Sequence, residues 1–318
     1  MQHHTFLITE PENYSPAALE IYRSLGKVEL GPLTDADLAE NISTYDILVI
    51  RLAHIIDRAL MEKSGKLKAI VSPTTGLDHI DLECAAERAI AVLSLKGETE
   101  FLRTIPATAE LTWGLLLALV RHIPQAYTSV LKGEWQRDRF RGHDLSGKTL
   151  GIVGLGRIGE KTAGYGIAFG MQVIGFDPYR TKWMPGVERI NSLNELLQRT
   201  EVLLIHLPLE KATMGMFGAE ELTLLPRGAV LVNTSRGAVL DETALLQVME
   251  SGHLAGAALD VVQDEAKFSK ASPLVCYAKK HENLLLTSHL GGATVESMAM
   301  TEEFMADKLR RYLLSEMK

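Results

Sequence analysis

Short apolar runs rich in Val, Ile and Leu alternate along the chain with stretches whose spacing suits helices. Thr5–Thr9, Lys27–Leu30, Asp46–Ile50 (DILVI), Ala69–Ser72 (AIVS) and Ala91–Leu93 read as strands. Pro16–Leu25, Asp35–Asn41, Asp57–Ser64 and Leu82–Arg88 read as the helices between them. Strand and helix in turn, over short connections, predict a parallel sheet covered on both faces. Phe101–Arg121 is apolar nearly all round and predicts a long buried helix at a domain junction, suited to an interdomain role and to a subunit contact. Leu131–Arg141 (LKGEWQRDRFR) is charged and aromatic and reads as a solvated surface segment.

The alternation then resumes. Strands are expected at Leu150–Val153, Gln172–Phe176, Glu201–Leu207, Ala229–Asn233, Ala257–Val262 and Leu284–Thr287. Helices are expected at Glu160–Phe169, Ser192–Arg199, Asp241–Ser251 and Thr294–Leu314, the last folding back on the first half. Ser192 followed by Glu195 predicts a capping box. There is no internal sequence repeat and no low-complexity segment.

One stretch, TLGIVGLGRIGEKTAGYGIAFGMQVIGFD from Thr149 to Asp177, carries specific chemistry. Strand, Gly154-Leu155-Gly156-Arg157-Ile158-Gly159, helix, strand and acid form a dinucleotide-binding βαβ unit. Gly154 allows the tight turn, Gly156 lets a pyrophosphate approach the backbone, and Gly159 lets helix and strand pack closely. The N–H groups at the helix start, from Arg157 and Ile158 on, face the phosphates. Asp177 lies 177 − 159 = 18 residues after the last glycine, where it accepts hydrogen bonds from ribose hydroxyls and repels a 2′-phosphate. That favours NAD; Arg180 and Lys182 are the basic side chains through which NADP stays open.

Bulk properties narrow the class. A chain of 318 residues suggests two domains. A net charge of −7 without a basic run argues against nucleic acid and anionic membrane surfaces as partners. Cys84 and Cys276 give neither a disulfide framework nor zinc spacing, no metal site is expected, and they suit a reducing cytoplasm. MQHHTFLITEPE has too short an apolar run for a signal peptide, and no run approaches a membrane span. His3 and His4 are assigned no role.

Three polar residues fall at or just past strand ends in the second half: Arg236, Glu265 and His289. Arg236 offers a fork of donors that fits a carboxylate bidentately. His289 can give a proton to a carbonyl oxygen or take one from a hydroxyl. Glu265 beside it would favour the protonated ring and fix its tautomer. In the first half, Arg51-Leu-Ala-His54 and Pro73-Thr-Thr-Gly-Leu-Asp78 follow strands. Thr75 and Gly76 could offer N–H groups to a carboxylate, or the segment is an ordinary βα turn.

GKTLGIVGLGRIG, the acid of GFDPY, HLPLEKAT, LVNTSRGAVLDE, AALDVV with Glu265, and TSHLGGAT occur in this order. Through them the chain resembles the D-isomer-specific 2-hydroxyacid dehydrogenases, which include phosphoglycerate dehydrogenases and glyoxylate/hydroxypyruvate reductases. The resemblance implies that Arg236 binds the substrate carboxylate, Glu265 partners the histidine and His289 is the acid/base. It implies that Asp260 binds the nicotinamide carboxamide and that His206, Pro208, Thr213, Thr234 and Ser235 line the cofactor. Thr75 and Gly76, with Arg51, would meet the substrate.

The sequence departs from the family at Ala266, where proline often stands, and at Thr287-Ser288-His289, where Thr-Pro-His is common. Lys267–Glu282 is longer than usual and lysine-rich, and LKGETEFLRTIPATAE replaces a shorter segment. Glu265, five residues after Asp260, argues against the formate dehydrogenase branch, which has glutamine there, although Gln263 is near. With 318 − 289 = 29 residues after His289, no added regulatory domain is expected.

The expectation is therefore two Rossmann-like, doubly wound α/β domains with a cleft between them. A discontinuous flavodoxin-like substrate domain (1–98 and 292–318) would receive an inserted NAD-binding domain (99–291). The function expected is NAD-dependent interconversion of a small anionic D-2-hydroxy acid and its 2-oxo acid, in a cytoplasmic homodimer. The rival is a non-catalytic, NAD(H)-sensing corepressor-like protein of the same fold.

Overall fold

The computed structural model describes residues 4–31 and 33–316; His3 and the start of the N-terminal segment fall outside them. The described chain forms two compact units, Met1–Ile105 with Thr294–Lys318, and Pro106–Ala293. The sequence places the first boundary after residue 98. The break lies after Ile105, because Phe101 and Leu102 of the helix Thr99–Arg103 pack into the first unit's core.

The first unit holds β1 (His4–Ile8), β2 (Gly26–Leu30), β3 (Ile47–Val49), β4 (Ala69–Ser72) and β5 (Ala91–Ser94). All run parallel in the order β2-β1-β3-β4-β5, the flavodoxin-like order. Both faces of the strands are apolar because both are covered. Phe6, Ile8, Ile47, Val49, Ala69 and Val71 meet the helices Pro16–Leu25 and Val295–Ser315. Leu7, Leu48 and Ile70 face the opposite core with Leu38, Met61 and Cys84. Polar caps start the helices: Ser15 ahead of Pro16, the Thr34–Asp37 capping box, Asp57 and Asp81.

The second unit holds β6 (Thr149–Val153), β7 (Gln172–Phe176), β8 (Val187–Arg189), β9 (Val202–Ile205), β10 (Val230–Asn233), β11 (Gly256–Leu259) and β12 (Leu284–Leu286). Their order is β12-β11-β10-β9-β6-β7-β8, parallel throughout. From β6 the order runs outward both ways, so the topological switch point lies between β6 and β9. Every loop after a strand therefore emerges on one edge, beside the glycine turn.

Some local expectations are corrected. Phe101–Arg121 is not one helix. Pro106 lacks an N–H and restrains the residue before it, so one helix ends at Arg103 and another runs Ala107–Val120. His122, at φ 50, starts a further helix, Ile123–Leu131, in a region not expected to be helical. β8 and the short helix Ala219–Leu224 are likewise additions. Ser192 precedes its helix without a capping hydrogen bond from its side chain, and Glu195 pairs instead with Arg199 at 3.5 Å. Among the described residues no helix is long and apolar enough to cross a membrane.

Candidate active site

The glycine turn leaves β6 under tight constraint. Gly154 sits at φ +90, and a Cβ there would lie 2.3 Å from the His206 carbonyl oxygen. A Cβ on Gly159 would lie 2.1 Å from the Gly154 carbonyl oxygen. Gly156 is the opposite case, with no atom within 4 Å of its Cβ position. The helix Arg157–Ala168 begins immediately after it, with Gly156 as a cap that has no side chain. Open space at the N–H-rich start of a helix fits a pyrophosphate. Burial holds the Arg157 guanidinium below its ordinary pKa.

Asp177 follows β7. Its carboxylate accepts from Leu155 N–H and Tyr179 N–H, each at 3.0 Å, and so stands beside the glycine turn. Arg180 is committed to Glu160 and to the carbonyls of Leu155 and Lys182.

His206 follows β9. Its Nε2 lies 3.1 Å from Thr162 Oγ1, and burial pushes its pKa down to about 3. The ring is neutral at ordinary pH and so does not serve as a proton donor there. Its Nδ1 is buried without a hydrogen-bond partner among the described residues. An orphaned nitrogen next to the glycine turn fits a site whose polar partner is a ligand. Thr213 secures the following loop by donating to the Pro208 carbonyl at 2.6 Å and accepting from Glu210 N–H at 2.9 Å.

The loops after β10, β11 and β12 carry the reactive groups on adjacent strands. Thr234 Oγ1 lies 2.7 Å from Thr112 Oγ1 on the helix Ala107–Val120. The side-chain carbonyl oxygen of Asn233 accepts from Ser235 N–H and Oγ–H, while its amide donates to the Arg236 carbonyl at 2.9 Å. Asn233 thus shapes the loop that presents Arg236, a role the sequence reading missed although the residue lies within LVNTSRGAVLDE. Gly237 lets that loop lie against Val262: a Cβ would fall 2.0 Å from the Val262 carbonyl carbon. Arg236 itself is half-buried and donates from Nη1 to the Ser235 carbonyl at 2.8 Å.

His289 Nδ1 lies 2.8 Å from Glu265 Oε2. An ionised carboxylate only accepts, so Nδ1 carries the hydrogen and Nε2 is the nitrogen able to exchange a proton. His289 occupies the left-handed region at φ +56, unusual for a side chain of this size. Asp260, only 1% exposed, compels that conformation. Its carbonyl accepts from His289 N–H at 2.8 Å. Its carboxylate accepts from Thr287 Oγ1 at 2.6 Å and from the N–H groups of Leu290 and Gly291, both at 2.8 Å. Upstream, Glu242 accepts from Gln263 N–H and so steadies the approach to Glu265, a second contribution not legible in the sequence.

In the first unit, Thr75 and Gly76 are half-buried in the turn after β4, which Thr74 closes by donating to the Gly76 carbonyl at 2.8 Å. Arg51, offered by the sequence for substrate contact, makes its hydrogen bonds within the first unit. Its Nε and Nη2 donate to Glu302, and its Nη1 donates to the Glu12 carbonyl. A nearly buried carboxylate on the returning C-terminal helix captures it. Among the described residues no three His, Cys, Asp or Glu are grouped to hold a metal ion.

A doubly wound dinucleotide fold with a His–Glu pair on the loop edge defines a dehydrogenase-type class. The family model described as "D-isomer specific 2-hydroxyacid dehydrogenase, NAD binding domain" matches residues 113–291. A D-3-phosphoglycerate dehydrogenase of Methanocaldococcus jannaschii is 38% identical over 315 residues, spanning 98% of this chain and 58% of that protein. A glyoxylate reductase of Thermococcus litoralis is 37% identical over 283 residues, 86% of this chain and 82% of its own. A crystal structure of a Thermus thermophilus protein superposes with a TM-score of 0.85 at 33% identity, covering 98% and 97% of the two chains. D-lactate dehydrogenase of Aquifex aeolicus, complexed with NAD and lactic acid, gives 0.84 at 26% identity, covering 98% and 96%. The chain belongs to the D-isomer-specific 2-hydroxyacid dehydrogenase family. It spans only about half the length of several of the D-3-phosphoglycerate dehydrogenases it matches, 58% and 50% of the first two.

Proposed function

We propose that the protein interconverts a D-2-hydroxy acid and its 2-oxo acid with NAD. The observation that carries this reading is the 2.8 Å His289–Glu265 pair, locked in a left-handed turn on the edge that also bears the glycine loop. When bound, the dinucleotide supplies or accepts the hydride. Gly154, Gly156, Arg157, Ile158 and Gly159 would hold its pyrophosphate, with Asp177 on the ribose. His206, Pro208, Thr213, Thr234 and Ser235 would line it further along the edge. Asp260, which the family resemblance assigns to the nicotinamide carboxamide, also shapes the His289 turn.

His289 Nε2 gives a proton to the carbonyl oxygen in reduction and takes it back in oxidation. Glu265 holds the tautomer and the charge that forms on the ring. Arg236 grips the carboxylate. NAD is favoured over NADP because the Asp177 carboxylate stands beside the glycine turn after β7, whereas Arg180 is already engaged.

A homodimer is supported by the exposed apolar row on the helix Ile123–Leu131, where Tyr127 is 64% and Leu131 68% exposed, with Trp135 beyond it at 88%. A cytoplasmic location is supported by the free cysteines, Cys84 buried and Cys276 exposed. A screen of glyoxylate, hydroxypyruvate, pyruvate and 3-phosphohydroxypyruvate with NADH and NADPH tests the reading. It predicts NADH oxidation with at least one acid and formation of the D-hydroxy product. Tight NADH binding with no oxidation by any acid would favour the sensing protein instead.

A further inference from the structure

Leu155, inside the glycine turn, is gripped from both of its backbone groups. Its N–H donates to the Asp177 carboxylate at 3.0 Å, and its carbonyl accepts from Arg180 Nη1. The carboxylate and the guanidinium therefore stand at neighbouring points of one turn. Tyr179 N–H takes the other Asp177 oxygen at 3.0 Å, so the segment after β7 folds back toward the glycines. The remaining nitrogens of Arg180 are occupied too: Nε donates to the Lys182 carbonyl and Nη2 to Glu160 Oε1. Glu160 lies in the first turn of the helix Arg157–Ala168. Only 19% of the Arg180 side chain and 24% of the Glu160 side chain are exposed. A pair shielded to that degree holds more firmly than an ion pair in open solvent.

The two forms of the dinucleotide differ only at the adenosine ribose. A 2′-hydroxyl donates to Asp177 and needs no cation. A 2′-phosphate brings roughly two negative charges to the same place and needs a guanidinium to offset them. Arg180 is the guanidinium beside Asp177, and it is spoken for. To meet the phosphate it would have to leave Glu160, and a largely shielded carboxylate would lose its partner. Resting on the reading of the glycine turn as the dinucleotide site, we propose that Glu160 is a specificity-determining residue for the cofactor. Asp177 repels the 2′-phosphate, and Glu160 withholds the cation that would counter that repulsion. Selection against the wrong form is thus shared between an acid that meets the ribose and an acid that never does.

The test needs no turnover. Dissociation constants for NADH and NADPH are measured by cofactor fluorescence in the native chain, Glu160→Ala, Glu160→Gln, Arg180→Ala and the double variant. The native chain should bind NADH about a hundredfold or more tighter than NADPH. Glu160→Ala should narrow that ratio by about tenfold through tighter NADPH binding, with NADH affinity held within about threefold. Glu160→Gln, which keeps an acceptor but not the charge, should narrow it less. In the Arg180→Ala background, removal of Glu160 should move NADPH affinity by no more than about twofold, because there is no guanidinium to release. An equal gain in both backgrounds would mean that simple loss of negative charge is responsible, and overturns the proposal. So does a native preference for NADPH, or a ratio unmoved by Glu160→Ala. Failure of the native chain to bind either dinucleotide defeats the reading of the glycine turn and the proposal together, whereas NADH binding with an unmoved ratio defeats the proposal alone.

Discussion

Asp260 holds His289 in a left-handed turn: the His289 N–H reaches the Asp260 carbonyl at 2.8 Å while both carboxylate oxygens of Asp260 bind the residues on either side. A buried carboxylate thereby sets where an imidazole stands. Asp260→Ala would strand three donors around an empty site and should cost on the order of 3 kcal/mol of stability. Asp260→Asn keeps the shape but can accept with only one of its two side-chain atoms. It should leave NADH affinity within a few fold while lowering kcat about tenfold to a hundredfold through misplacement of the ring. Stopped-flow NADH binding beside steady-state kinetics separates the two effects.

The strain at His289 makes stability and activity separable. At φ +56 a glycine is more comfortable than a histidine, and relief of the backbone cost is on the order of 1 kcal/mol. His289→Gly should therefore unfold at an equal or higher denaturant midpoint than the native chain, yet lose about a thousandfold or more in kcat. A large drop in stability would show that the imidazole packs structurally rather than standing ready for chemistry.

The glycines of the phosphate turn should respond differently to one added methyl. Gly154→Ala and Gly159→Ala force a carbon against backbone carbonyls and should destabilise the unit. Gly156→Ala meets no protein atom, so the melting temperature should hold within about a degree or two. Dinucleotide affinity should nonetheless fall about tenfold or more, since the methyl enters the space the pyrophosphate requires. Thermal melts with and without NADH measure both.

His206 gives a pH signature. The unfolded chain protonates this ring near its ordinary value of 6.5, whereas burial in the folded chain defers protonation to about 3. The unfolded state thus binds more protons across that window, and stability falls as pH drops from about 6.5 toward about 3. The contribution to the slope is at most about 1.4 kcal/mol per pH unit. His206→Asn should flatten the slope in chemical denaturation measured at pH 7, 6, 5 and 4.

The alternation of strands and helices and the glycine turn were legible because they rest on local patterns: β-branched runs, a glycine triplet and an acid at a set distance. The parallel sheets follow from strands apolar on both faces, such as Leu48 and Val49 turning to opposite cores. Less legible was anything decided by a tertiary competition. Phe101–Arg121 has helical composition throughout, yet Pro106 divides it. Ser192 and Glu195 have capping-box spacing, but the Ser192 side chain makes no capping hydrogen bond and Glu195 lies 3.5 Å from Arg199. The pair of Arg51 with Glu302 joins residues 251 positions apart, which only the fold reveals. Asn233 and Glu242 act through loops that they shape, which no spacing rule announces.

The central claim is that His289 moves the proton while the neighbouring residues only place it. The most direct measurement pairs NADH oxidation by hydroxypyruvate or glyoxylate with NADH binding, in the native chain and in His289→Asn, a residue that tolerates the left-handed turn. The account predicts turnover in the native chain, a loss of about a thousandfold or more in the variant, and unchanged NADH affinity. Turnover by the variant at the native rate would contradict it.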